Sequence, residues 1–127
     1  MRRVLIVDDE FSNLEALELI LTEEGYDVTV ANNGRQALEK LEAAAYELIL
    51  TDHMMPVMSG VQLIEAVRSN PHYAETPILL MSGVPESVLR PLTSAFDGFL
   101  RKPFDIDTLL QHIKVLLEKS PQQASGA

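Results

Sequence analysis

Four short apolar runs in this chain each end in a side chain able to do chemistry: Val4-Leu5-Ile6-Val7 in Asp8-Asp9, Leu48-Ile49-Leu50-Thr51 in Asp52, Ile78-Leu79-Leu80-Met81 in Ser82, and Phe99-Leu100-Arg101 in Lys102. A continuous apolar run bounded by turn residues reads as a buried strand. In an open parallel sheet, ligands bind just beyond the carboxyl ends of the strands. Brought together there, three carboxylates would face one hydroxyl and one ammonium. Carboxylates that close raise one another's pKa unless a cation compensates them. With oxygen ligands and no His or Cys at the run ends, that cation is a hard one; Mg²⁺ fits, since it keeps several waters and completes its shell with phosphate. Each residue also has a plainer role to weigh. Asp52 would cap the helix that starts near Ser59, but Ser59 is itself a good cap and lies closer. Asp8 and Asp9 would offset a helix dipole, which needs no more than one acid. Lys102 would snorkel from an edge strand, and Ser82 would cap the segment that follows it.

The elements between these runs have helical periods. From Ser12 to Glu24, Leu14, Leu17 and Leu21 recur at i, i+3 and i+7, Leu19 lies off that face, and Gly25 stops the helix. Tyr26 to Ala31 alternates polar and apolar residues, as a partly wet edge strand does. Asn32-Asn33-Gly34 is a turn, and Gln36 to Ala45 a second helix with Ala37, Leu38 and Leu41 inward. A third helix runs from Ser59 to Ser69, ended by Asn70-Pro71. In the last, from Asp105 to Lys119, Ile106, Leu109, Leu110, Ile113, Leu116 and Leu117 form one stripe while Val115 points away. Five strands alternating with helices imply right-handed crossovers and a parallel sheet covered on both faces. The expectation is a doubly wound α/β sandwich of flavodoxin-like (βα)5 type, strand order 2-1-3-4-5, which places the first and third strands side by side and so joins Asp8, Asp9 and Asp52 at one switch point.

Composition narrows the classes. With 127 residues, 46% of them hydrophobic, the chain can bury one core, assigned to residues 1–119, with 120–127 as a flexible tail or the start of a linker. No run approaches the length of a membrane span, and the apolar stretch after Met1-Arg2-Arg3 is too short for a signal peptide. A cytoplasmic protein is therefore expected. The absence of cysteine rules out disulfides, thiolate metal sites and cysteine nucleophiles. A net charge of −9 disfavours nucleic acid as a partner of this domain. His53, His72 and His112 are scattered over a loop, a turn and a helix, so only His53, beside Asp52, stands near the chemistry. Met54, Met55, Met58 and Met81 read as soft packing around the site.

Taken in order, the residues resemble the receiver domain of two-component response regulators over nearly the whole chain, from Val4 to Glu118. The resemblance rests on Asp8-Asp9, on Asp52 with Met55-Pro56 and Gly60, on Ser82, and on Lys102-Pro103-Phe104. It implies that Asp52 accepts a phosphoryl group from a histidine kinase or phosphotransfer protein, making the chain a phosphoacceptor regulator and not an enzyme with a separate substrate. It also implies that Asp9, Asp52 and the backbone carbonyl of Met54 bind Mg²⁺, with Asp8 acting through water. Ser82 would donate to a phosphate oxygen, Lys102 would pair with Asp52 and then with the phosphate, and Phe99 would be the aromatic switch. An ordinary half-buried aromatic is the plainer reading of Phe99. Partners would dock, or a second copy would pair, on the face of the fourth helix, fifth strand and fifth helix.

Other classes fit less well. Dehalogenase-type phosphatases resemble a pattern with a second aspartate two positions after the first, where this chain has Met54. A dinucleotide site would need glycines where Asp8-Asp9-Glu10 stand. A receiver acting as a binding module without phosphorylation is the remaining alternative. The chain departs from the receiver pattern between Ser82 and Lys102. There Pro91 would remove a donor and press on the carbonyl of Ser87 inside a continuous helix. The segment is expected to break into two short turns or to become mobile, with Pro91 starting the second piece through Ser94.

Overall fold

The computed structural model describes residues 2–118. Its strands are β1 (Arg3–Val7), β2 (Asp27–Ala31), β3 (Leu48–Asp52), β4 (Ile78–Ser82) and β5 (Gly98–Arg101), and they alternate with helices α1 (Phe11–Glu23), α2 (Gly34–Ala43), α3 (Gly60–Arg68), α4 (Glu86–Leu89) and α5 (Ile106–Glu118). The sheet is parallel with order β2-β1-β3-β4-β5, the expected flavodoxin-like winding. Residues 119–127, including the expected tail, lie outside the described residues.

The apolar runs are continuous because both faces of the sheet are covered. Along β1, Val4 and Ile6 pack with Leu14, Leu17 and Leu21 of α1 and Leu109, Ile113, Leu116 and Leu117 of α5. Leu5 and Val7 point the other way, into a second cluster with Leu41 of α2, Leu63, Ile64 and Val67 of α3, and Leu89 of α4. This is the period-2 alternation of a strand serving two cores. The edge strand β2 is half-buried until Ala31, as its mixed composition predicts.

Helix ends follow local chemistry. The Asn33 side chain accepts from the Gln36 backbone N–H at 2.8 Å and so caps α2. Ser59 and Gln62 form a reciprocal capping box at the start of α3, and the Asp105 carboxylate accepts from the Thr108 N–H at 2.7 Å at the start of α5. Leu19 is 61% exposed, as its helical angle predicts. Ile106, at the first position of α5, departs from its expected place on the stripe and stands exposed. Gly98 at the start of β5 is closely packed: a Cβ there would meet Leu116 Cδ1 at 3.0 Å and Leu79 Cδ1 at 3.1 Å.

The fourth helix is cut to Glu86–Leu89. The break falls where Pro91 predicts it, but the expected second piece does not form. Instead the Leu92 and Thr93 N–H groups fold back onto the Leu89 carbonyl, and the chain then runs irregularly to β5. What holds this stretch is α3. Arg68 donates to the carbonyls of Ala95 at 2.9 Å, Ala74 at 2.8 Å and Thr76 at 2.7 Å, and pairs with Asp97 at 2.7 Å. Thr93 Oγ1 donates to Glu65 Oε2 at 2.7 Å. Asp97 also accepts from the Ile78 N–H at 2.8 Å, tying the loop to the start of β4. Charged donors on backbone carbonyls are the strong class of hydrogen bond. Arg68→Ala is therefore expected to cost about 2–3 kcal/mol of stability, read as a lower midpoint in urea unfolding; an unchanged midpoint would show that the loop is held by its apolar contacts alone.

Candidate functional site

Parallel register decides which strand ends meet. Val7 is level with Thr51 and Asp52 is level with Met81, so Asp8 and Asp52 emerge side by side. Lys102 follows Arg101, which is level with Ser82, and reaches back over the sheet edge. Its Nζ lies 2.9 Å from Asp52 Oδ1 and 3.6 Å from Asp8 Oδ2. Asp8 is wholly buried, Asp52 is 5% exposed, and Asp9 stands exposed at the rim. One carboxylate oxygen from each of Asp8, Asp9 and Asp52 lies within 4.8 Å of the others. A hard divalent cation suits this all-oxygen set, and the set carries more negative charge than the single Lys102 ammonium neutralises.

The shell around these acids is specific. Asp8 Oδ1 accepts from the Glu10 N–H at 2.9 Å, and Oδ2 takes the Asn13 amide at 3.4 Å. Asn13, in the first turn of α1, carries little local signal: it is a short polar residue near a helix start. Gly60 is required by the close approach of α3 to the acceptor strand. A Cβ there would lie 2.5 Å from the Asp52 carbonyl oxygen and 2.8 Å from His53 Cα. Between them Val57 takes φ 71°, a left-handed conformation that costs a β-branched residue about 1–2 kcal/mol. Ser82, also buried, ends β4; its Oγ accepts from the Val84 N–H at 2.9 Å, which leaves its own proton free to donate. The Ser82 carbonyl accepts from the Lys102 N–H at 2.8 Å, so hydroxyl and ammonium share one backbone support. The Lys102–Pro103 peptide is cis.

Phe99 lies on β5 level with Leu80, half-buried. The methionines do not all pack as expected: Met81 is buried and Met55 and Met58 rest on the core, but the Met54 side chain is 68% exposed because the loop beyond Asp52 turns outward. His53 keeps a buried Nδ1 with no hydrogen-bond partner among the described residues. His72 lies exposed in its turn, and His112 Nδ1 is 2.8 Å from the Thr108 carbonyl on α5.

The sequence profile of the response regulator receiver domain matches residues 4–114. The chain belongs to that family. Receivers are the phosphoacceptor modules of two-component signalling and act with histidine kinases. Response regulator ArlR of Staphylococcus saprophyticus is 34% identical to this receiver over 125 residues, covering 97% of the chain and 56% of the relative. The chain thus spans about half the length of the curated relatives it matches. Among solved structures, chemotaxis protein CheY4 of Vibrio cholerae superimposes with a TM-score of 0.87 at 36% identity, over 91% of this chain and 98% of that one. TrrA of Thermotoga maritima, solved in complex with Mg²⁺–BeF, gives 0.83 at 33% identity, over 91% and 99%. Among the described residues of this receiver, no helix is long and apolar enough to cross a membrane.

Electrostatics in the receiver pocket are set by burial and by sharing one cation. Burial pushes the Asp52 carboxyl above its ordinary 3.8, and the Asp8 charge adds to it, against the hydrogen bond and charge of Lys102 and the His53 N–H. Burial pulls the Lys102 ammonium down, but its bond to Asp52 and the charges of Asp52, Asp8 and Glu10 outweigh that and hold it above 10.5. Lys102 therefore stays charged, and Asp52 carries the cost. A carboxyl raised on folding adds stability in full below its unfolded value of 3.8 and loses it as pH rises through the folded value. Above that folded value the charge on Asp52 weighs against the fold. Asp52→Asn is expected to melt at or above the wild-type temperature at pH 7, with the difference shrinking as pH falls toward 3.8. A markedly lower melting temperature at pH 7 would mean that the Asp52–Lys102 pair is a net stabiliser.

Proposed function

We propose that this receiver takes a phosphoryl group on Asp52 from a phosphohistidine of a histidine kinase or phosphotransfer protein. The observation that carries the reading is the placement of one ammonium 2.9 Å from a buried carboxylate that two further acids crowd. A carboxylate so placed is desolvated and held in one orientation, as a covalent nucleophile must be. The Asp52 oxygen attacks phosphorus as the phosphorus–nitrogen bond to the donor imidazole breaks. Asp9, Asp52 and the Met54 carbonyl would hold Mg²⁺, with Asp8 acting through water. When bound, the ion neutralises charge on the incoming phosphoryl oxygens. Lys102 supplies the second positive charge, already poised at the acceptor, and moves from Asp52 to a phosphoryl oxygen. Ser82 donates its free hydroxyl proton to another. As Ser82 is drawn toward the phosphoryl group, Phe99 turns inward beside it. The change is read on the face made by α4, β5 and α5, by a protein target or a second copy. The domain spans residues 1–119, works in the cytoplasm and needs no nucleic acid or membrane of its own.

The direct test is intact mass before and after a small phosphodonor with Mg²⁺. One added phosphoryl group is expected on the wild type and none on Asp52→Asn or when Mg²⁺ is chelated; labelling that survives in Asp52→Asn would overturn the reading. A second expectation concerns lifetime. Hydrolysis needs a water oriented in line, and the exposed thioether of Met54 and the side chain of Val84 offer nothing to orient it. Decay of the phosphorylated form should be slow, and Met54→Asn, which adds a hydrogen-bonding amide at the mouth of the site, should change the rate several-fold when the label is followed over time. Equal decay of the two proteins would exclude side-chain control at this position.

A further inference from the structure

Phe96 occupies a place that the shortened fourth helix leaves open. Its ring is 3% exposed and joins the cluster of Leu63, Ile64, Val67, Ile78, Leu80 and Leu89. The ring of Phe99 lies beside it, centroids 6.1 Å apart and planes tilted by 45°, a favourable aromatic geometry. On the other side the Arg90 guanidinium sits 3.8 Å from the centre of the Phe96 ring. Arg90 is itself fixed by Glu86 at 2.9 Å and by the Ser94 carbonyl at 3.3 Å. Nor can the Phe96 backbone drift, since Arg68 holds both of its chain neighbours, Ala95 and Asp97. Phe96 is thus clamped through its ring and through its main chain.

We propose that Arg90, by clamping Phe96, is a positioning residue that sets how readily Phe99 leaves its present seat, and so how readily the receiver adopts its phosphorylated form. This rests on the proposed coupling of Asp52 through Ser82 to Phe99. The geometry supplies the direction. Phe99 is level with Leu80, and Ser82 lies two residues farther along β4, on the same face of the pleat. A ring that moves toward Ser82 moves toward the carboxyl end of the sheet, away from Phe96, and gives up the ring contact. The contact therefore favours one of the two Phe99 positions and biases their populations. Weakening the clamp raises the share of the inward position before any phosphoryl group arrives. A group that binds only the inward form then binds more tightly, because less of its affinity goes into moving the ring.

The test uses the whole chain, beryllofluoride as the phosphoryl mimic at saturating Mg²⁺, and ¹³C-labelled phenylalanine to follow the Phe99 ring by NMR. Arg90 is exposed, so replacing it leaves the core intact. Arg90→Gln should bind beryllofluoride roughly two- to fivefold more tightly, the range expected for loss of one exposed cation–ring contact. The Phe99 ring signals of the unliganded variant should shift toward those of the liganded wild type. Affinity for Mg²⁺ alone should not change, and Arg90→Lys, which keeps the charge, should fall between the two. A merely structural role for Arg90 would lower the melting temperature and leave the Phe99 signals and the beryllofluoride affinity in place, and that result would overturn the proposal. So would an equal gain in Mg²⁺ affinity, which would place the effect in the acid pocket. A wild type that takes up no beryllofluoride would instead strike at the phosphoacceptor reading, and this proposal would fall with it.

Discussion

A single ammonium shared between two buried carboxylates is the constraint on which the rest of this receiver depends. Lys102 lies 2.9 Å from Asp52 and 3.6 Å from Asp8, and both acids are buried. Removing charged groups from water costs several kcal/mol per ion and is offset only where partners are held in register. That explains why the charges sit at strand ends, where the ladders of β1, β3, β4 and β5 fix their register. It also explains the tight packing of Gly60 on the Asp52 carbonyl, where even a methyl group has no room. The pocket is under-neutralised as it stands. An added divalent cation and a phosphoryl group have complementary charges for the two things it lacks, a further positive charge and a partner for Lys102 once Asp52 is modified.

The second organising feature is the exchange of a long fourth helix for a loop braced on α3. A proline at position 91 makes a continuous helix too costly, and the chain recovers the lost contacts in other ways. Phe96 fills the space with apolar volume, Arg68 and Glu65 satisfy the backbone and Thr93, and Arg90 covers the ring. The corner between β4, β5 and α3 is consequently fixed by charged hydrogen bonds.

Much of this was legible in the sequence, and the legible part has a common physical origin. Short runs rich in apolar residues read as buried strands, so the ends that carry Asp8, Asp52, Ser82 and Lys102 are legible from the sequence. A cap such as Ser59 and stops such as Gly25 and Pro91 act on their own neighbours and are legible for the same reason. What escaped notice depends on partners far away in the chain. Arg68 reaches residues 74 to 97, and nothing local marks it apart from any other arginine near a helix end. Nothing local marks Phe96 as a core residue, because its burial depends on the space vacated by α4. The exposure of Met54 and of Ile106 is set by tertiary placement, which periodicity does not encode. The left-handed Val57 is opposed by its own residue type, and only the constraint of joining Asp52 to a tightly packed α3 imposes it.

The central claim is that one particular carboxylate, and not its crowded neighbours or His53, becomes covalently modified. Acyl phosphates are reduced by borohydride, which converts a modified aspartate to homoserine and leaves a free one untouched. The phosphorylated receiver would be reduced with borohydride, digested and read by tandem mass spectrometry. Homoserine at position 52 alone is the expected result. Homoserine at position 8 or 9, or a stable phosphoryl group recovered on His53, would contradict it.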